Sequence, residues 1–164
     1  MPSLGPSPTA TWAELATGAP DLAAAVRSRF EATKHHVLAT VRADGSPRVS
    51  GTEVQFHGED LVAGSMPDSV KARDLRRDHR YALHSNPGDG SMAGGDAKVS
   101  GVAAEVTDPA ALADYADTIG PPPEFELFRF LIAEVVHTAV HPDGDRLVIR
   151  SWRPGQGVRT VQRR

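Results

Sequence analysis

The stretch His36-Val-Leu-Ala-Thr-Val-Arg-Ala-Asp-Gly-Ser-Pro-Arg-Val-Ser-Gly-Thr-Glu-Val-Gln-Phe56 decides the class of fold. From His36 to Arg42 apolar and polar residues alternate, the period of a half-buried strand. Ala43-Asp44-Gly45-Ser46 is a tight turn of the Asp-Gly type, and Arg48 to Phe56 reads as the return strand. Within that return, Glu53 shares a side with Gly51 and Gln55, opposite Thr52 and Val54. A carboxylate there either meets a ligand or marks the wet face of the sheet.

Outward from this hairpin the pattern repeats. His57-Gly-Glu-Asp60 is a second turn and Leu61 to Ser65 a third strand. Pro67-Asp68-Ser69 opens a short helix over 70–77, with Asp68 or Ser69 as its cap. Arg80–Ser85 and Lys98–Val106 are strands, separated by the glycine-rich, apolar-poor stretch Asn86–Asp96, which reads as a mobile loop. Pro109 begins a helix ending near Ile119. Phe128–His141 and Arg146–Trp152 are the last long strands. Upstream, Thr11-Trp-Ala-Glu14 fits a capping box, and a second helix from Pro20 carries Leu22, Val26 and Phe30 on one stripe. Residues 1–10 read as a flexible tail and 11–164 as a single domain. The expected architecture is mainly β with flanking α: a six-stranded antiparallel barrel.

Composition narrows the function. The 164 residues are 40% hydrophobic and 24% charged, a globular balance with enough apolar material for a core. No apolar run approaches the roughly 20 residues that span a bilayer. The start Met1-Pro-Ser-Leu-Gly-Pro lacks the features of a signal peptide, so a cytoplasmic location is expected. Without cysteine there is no disulfide, thiolate site or cysteine nucleophile. A net charge of −3 disfavours a general nucleic-acid binder. With aromatics at only 5%, the core rests on small aliphatics, and burying an interface in a homodimer would help a domain this size.

Three features bear on chemistry. Ser65-Met-Pro-Asp-Ser69-Val-Lys71-Ala-Arg73-Asp-Leu-Arg76-Arg77-Asp-His-Arg80 places a hydroxyl cap and a lysine at a helix start, where a phosphate dianion is well met. The alternative is a solvated helix face on which Asp74 and Asp78 pair with nearby arginines. The second feature, Trp152-Arg-Pro-Gly155 followed by the alternating Arg159, Val161 and Arg163, suits a planar ligand with anionic oxygens, or else a capping tryptophan and wet arginines. The seven histidines lack metal spacing: His35 and His36 point to opposite sides, and His137 and His141 would stand about 13 Å apart in a strand. No metal site is expected. Nucleophile elbows, Walker loops and dinucleotide fingerprints are absent.

Together these pieces resemble the pyridoxamine 5′-phosphate oxidase-like, flavin-binding split β-barrel family. The resemblance runs through His36-Val-Leu-Ala-Thr-Val, Asp44-Gly-Ser-Pro47, Ser69-x-Lys71-x-x-x-Leu75-Arg-Arg-Asp-x-Arg80, Val99-Ser-Gly101-Val-Ala103 and Trp152-Arg-Pro-Gly155 with Arg159 and Arg163. It implies a homodimer of split barrels with FMN or the deazaflavin coenzyme F420 at the interface and a small-molecule substrate. The cofactor-binding positions it implies are Ser50, Gly51, Thr52, Glu53, Gln55, Ser65, Met66, Val70 and Lys71, with Trp152 and Arg163 lent by the partner. Authentic vitamin B6 oxidases carry Arg and Lys at the positions of Ser50 and Gln55, a Gln near Asp96 and a His at Val161. Those departures point instead to the family's actinobacterial branch, many members of which use the deazaflavin. The implied function is hydride transfer by an oxidoreductase. The rivals are a carrier of flavin, deazaflavin or heme without turnover, and an oligonucleotide-binding barrel using Arg73, Arg76, Arg77 and Arg80.

Overall fold

The hairpin read at 36–56 forms in the computed structural model, which describes residues 6–164. Strand β1 (His36–Val41) pairs antiparallel with β2 (Pro47–Thr52) in the register Ala39 opposite Val49. At Glu53 and Val54 the return strand breaks, and Gln55–His57 forms β3, which pairs with β4 (Asp60–Ser65) instead. Downstream follow α3 (Val70–Arg77), β5 (Arg80–His84), β6 (Asp96–Val106), α4 (Pro109–Ile119), β7 (Glu126–Val140), β8 (Leu147–Arg153) and β9 (Gly157–Arg163). Upstream lie α1 (Trp12–Gly18) and α2 (Pro20–Glu31). Thr11 caps α1 with the reciprocal box expected of it, Glu14 N–H donating to Thr11 Oγ1 and Thr11 N–H to Glu14 Oε2.

The sheet therefore holds nine strands among the described residues, not six, in the order β2-β1-β5-β6-β7-β4-β3 with β8 on β7 and β9 on β8. Two things raise the number. The long return strand splits at Glu53-Val54, and the chain after the Pro154-Gly155 bend pairs fully with β8 as a strand of its own. The two ends of the seven-strand path, β2 and β3, are only two residues apart in the chain, so the sheet curls back on itself.

One edge of β7 is shared. Its first part takes β4 through residues 126–129, its last part takes β8 through 135–140, and Ala10 fills the gap by exchanging two hydrogen bonds with Ile132. Of the expected tail, residues 1–5 lie outside the described residues; at its other end Ala10 is buried and belongs to the core. The other edge of β7 pairs with β6 along nearly its whole length, with a register shift between Ser100 and Gly101. A Cβ on Gly101 would stand 2.0 Å from the Leu131 carbonyl oxygen, so only glycine lets the two strands close there.

Apolar residues of α1 and α2 (Trp12, Leu15, Leu22, Val26, Phe30) fill the inside of this curl against Leu38, Leu83, Val99, Phe130, Ile132 and Val135. A smaller cluster, Val62, Tyr115 and Leu127, seals α4 onto β4 and β7. The opposite face of β2, β1 and β5 stays open: Val49 is 70% exposed, Ala82 is exposed, and Val37, Ala39 and Val41 are half-buried. No helix among the described residues is long and apolar enough to cross a membrane.

Candidate anion and cofactor site at the start of helix α3

The chain leaves β4 at Ser65 and must turn within four residues to start α3. Asp68 makes the turn at φ 55°, a left-handed conformation that aspartate tolerates better than most residues. Its N–H donates to Glu126 Oε1 at 3.0 Å, and its carbonyl and Oδ1 accept from Arg73 Nε. Of the two cap candidates Ser69 serves: its Oγ accepts from Ala72 N–H at 3.3 Å and lies 2.6 Å from Ser65 Oγ. The next turn presents Val70 and Lys71. Lys71 Nζ reaches back to donate to the Gly51 carbonyl at 3.0 Å, tying the helix start to β2.

Charge pairing separates Lys71 from the arginines that follow it. Arg73 pairs with Asp68, Arg76 with Glu105 and Glu126, Arg77 with Asp74, and Arg80 with Asp78, all within 3.0 Å. Of the expected pairings, Asp78 takes Arg80 at the surface, whereas Asp74 takes Arg77 from a buried position. Arg73 and Arg76 pair instead with Asp68, Glu105 and Glu126. Each of the four has an acidic partner, which lowers the free positive charge that oligonucleotide binding draws on. The hydrogen bonds from Arg80 hold the Asp78 carboxyl at about 2. Lys71 is the exception, because its partner is a carbonyl. Burial pushes its pKa below that of an ordinary lysine, and the charge of Glu53 partly opposes the shift.

Beneath this surface lies a buried carboxylate. Asp74 sits on the inner face of α3, with 3% of its side chain exposed. It accepts from Thr40 Oγ1 of β1 at 2.8 Å, Arg48 Nε of β2 at 2.7 Å and Arg77 of its own helix at 2.7 Å. Arg77 also donates to the Val41 carbonyl. Burial alone would raise the Asp74 pKa, but the three hydrogen bonds outweigh it and hold the carboxyl below its usual range. This network locks α3 against the β1–β2 hairpin and so sets the distance between Lys71 and Gly51.

The other expected site residues divide. Ser50, Gly51, Thr52 and Glu53 close β2 beside Lys71, with Thr52 buried and Glu53 faced by Lys34 at 3.6 Å and His35 at 3.9 Å. Met66 and Val70 flank the helix start and are 76% and 50% exposed. Gln55 turns away: its Oε1 accepts from Tyr115 Oη of α4 at 2.9 Å. Tyr115→Phe removes that bond and should lower stability by about 0.5–1.5 kcal/mol in urea denaturation, leaving any affinity at Lys71 unchanged. Trp152, read either as a wall for a ligand or as a capping tryptophan, is 7% exposed in this chain, opposite Val135 and within its core. An indole beside Gly18 fills space that the Gly-Ala-Pro break between α1 and α2 leaves open. Arg163 is exposed near the end of β9, far along the sheet from β2, opposite Leu147. Alternation could not have revealed that Asp74 meets Thr40 and Arg48, 34 and 26 residues away, or that Tyr115 meets Gln55, 60 residues away.

His141, Asp143 and Asp145 bring ligand atoms within 4.8 Å of one another, but Arg146 bonds all three and takes the place a cation would need.

Solved structures share this fold. A pyridoxamine 5′-phosphate oxidase-related, FMN-binding protein of Nostoc punctiforme superposes with a TM-score of 0.63 at 14% identity, over 89% of this chain and 96% of that one. PhzG of Burkholderia lata, solved with tetrahydrophenazine-1-carboxylic acid, gives 0.55 at 21% identity over 92% and 88%. The heme storage protein HutZ of Vibrio cholerae gives 0.53 at 19% identity over 70% and 89%. Among curated proteins none matches this sequence significantly. The family model described as pyridoxamine 5′-phosphate oxidase matches residues 22–153, which span β1 through β8 and the Ser69–Lys71 element described above, and the chain belongs to that family.

Proposed function

We propose that this protein binds FMN or the deazaflavin coenzyme F420 and uses it as an oxidoreductase on a small organic substrate. The observation that carries the reading is Lys71, a half-buried ammonium with a carbonyl and not a carboxylate for a hydrogen-bond partner, next to the helix turn where Ser65 and Ser69 oppose their hydroxyls. A phosphate dianion would gain charge-assisted bonds there that a fully paired cation could not give. Exposed Met66 and Val70 offer apolar surface alongside for a planar ring. The positions to hold the cofactor are Ser50, Gly51, Thr52, Glu53, Ser65, Met66, Val70 and Lys71, while the Gln55 side chain is taken up by Tyr115.

The bound cofactor supplies the hydride chemistry. The chain's own residues bind and orient: Lys71 and the two hydroxyls hold the anion, and Asp74 keeps α3 in place. The open face of β1, β2 and β5, with Val49 bare to solvent, is the surface on which a second copy would bury apolar area. A homodimer formed there would set β2 and Lys71 at its rim.

The test is a matched titration of the purified protein with FMN and with coenzyme F420, read by fluorescence and absorbance, with size-exclusion on each mixture. Micromolar binding of one is expected, with an apparent mass of two chains. Failure of both to bind overturns the reading. Binding without turnover is the second reading, because the one carboxylate facing Lys71, Glu53, is already engaged by Lys34 and His35. Reduction of the bound cofactor and its reoxidation by an added acceptor separates enzyme from carrier, and hemin in the same titration tests the heme alternative.

A further inference from the structure

The glycine-rich segment between β5 and β6 is fastened in an unusual way. Among the described residues, no hydrogen bond runs from residues 87–92 to anything outside 86–95; the bonds there are local turns of Asn86, Asp89, Ser91 and Met92. The ends carry the attachment. At the first end His36, 3% exposed, uses Nδ1 to accept the Asn86 N–H at 3.0 Å, while its Nε2 is buried without a partner. At the other end His137, 6% exposed, donates from Nε2 to the Gly94 carbonyl at 3.0 Å, and its Nδ1 accepts from Arg150 at 3.3 Å. Gly95, at φ 75°, sits so close to β7 that a Cβ would be 2.2 Å from the Thr138 carbonyl oxygen. Arg29 of α2 adds a bond to the Ala93 carbonyl at 3.1 Å, and Asn86 Nδ2 donates to the His35 carbonyl.

Both histidines therefore need the same tautomer: hydrogen on Nε2, a bare lone pair on Nδ1. A second proton on either ring points an N–H at another donor, the Asn86 amide in one case and the Arg150 guanidinium in the other. We propose that residues 86–95 form a flap held shut at both ends by two neutral histidines, and that acidification releases it beside the end of the sheet where Thr52 and Glu53 lie. The placement follows from register: His36 pairs with Thr52, and His35, whose carbonyl takes the Asn86 side chain, lies 3.9 Å from Glu53.

The surrounding charges favour the neutral rings. Burial lowers the pKa of His36, opposed by the nearby backbone carbonyls of Phe30 and Thr33, which stand outside hydrogen-bond geometry, and helped by the neighbouring His35. Burial likewise lowers His137, opposed by Gly94 and Asp96 and helped by Arg150 and Arg29. From the adjoining strands His84 and Lys98 both face Asp96, at 3.7 and 3.9 Å. A histidine depressed in the closed state holds the flap fully above its ordinary titration range, and the hold weakens as pH falls from that range down to the depressed value.

Amide hydrogen exchange on the full chain, corrected for intrinsic rates and followed from about pH 7.5 to about pH 5 alongside NMR titration of the histidines, tests this. Protection of residues 86–95 should fall up to about tenfold per pH unit while a latch histidine titrates, with β6 and β7 unchanged. The loss should begin as pH falls through the ordinary histidine range and level off at the lowered titration of His36 or His137. His36→Asn, whose Oδ1 offers an acceptor near the Nδ1 position without titrating, should flatten the response at Asn86. Protection that stays flat with pH, or a midpoint that follows His35 or His84, overturns the proposal, and the wild-type titration decides even if the variant does not fold. The latch needs no cofactor, so its failure is distinct from failure of the titrations above.

Discussion

Replacing Asp74 by alanine is expected to destabilise the fold by about 3–5 kcal/mol, the cost of removing one partner from a buried ion pair. The carboxylate joins β1, β2 and α3 through Thr40, Arg48 and Arg77. Without it the Arg48 side chain, 21% exposed, is left with its charge turned inward and no counterion among the described residues. Urea denaturation measures the loss directly. Arg80→Ala, which breaks an exposed pair with Asp78, is the control and should leave the unfolding midpoint close to that of the wild type. The same carboxylate gives a pH signature. Because its pKa is held below the usual range in the folded state, its contribution is complete above ordinary carboxylate pKa values and is lost as pH falls through the lowered one. The acid limb of the stability curve should therefore be shallower in Asp74→Ala. A loss below about 1 kcal/mol would mean that the network behaves like surface pairing.

Lys71→Ala is expected to act in the opposite manner, on binding and not on stability. Removing a charge-assisted contact to a phosphate costs about 1.5–3 kcal/mol, or about 10- to 150-fold in dissociation constant. The protein loses one exposed bond to the Gly51 carbonyl, so its unfolding midpoint should barely move. Lys71→Met keeps the stem and removes the charge, and it should reproduce the affinity loss. If both variants bind FMN and the deazaflavin as the wild type does, the anion site is elsewhere. If affinity falls only together with stability, Lys71 is a structural tie between α3 and β2.

Much of the architecture was legible in residue order because its causes are local. Alternation at 36–42, the Asp44-Gly45 turn, the Thr11 capping box and the Ser69 cap each depend on residues within a few positions of one another, and each forms as expected. The strand number was not legible. The break at Glu53-Val54 occurs inside an unbroken alternation, since β3 leaves β1's partner to join β4, and that choice depends on where β7 and α4 stand.

The site divides along the same line. Ser65, Ser69 and Lys71 are close in sequence, and the helix turn that gathers them follows from a serine cap and its spacing. Which cation is free did not follow from spacing. Asp74 and Asp78 lie among Arg73, Arg76, Arg77 and Arg80, and any pairing scheme was open until Glu105 and Glu126 arrived from β6 and β7 to take Arg76. Trp152 shows the limit most clearly. A tryptophan before a Pro-Gly bend reads equally as a ligand wall or as core, and only the gap between α1 and α2 decides that its indole is buried. The sequence alone determined the elements, because caps, turns and periodicity act over a few residues. Only the tertiary structure decided partners, because burial and charge compensation depend on groups that meet from positions 29 to 60 residues apart in the chain.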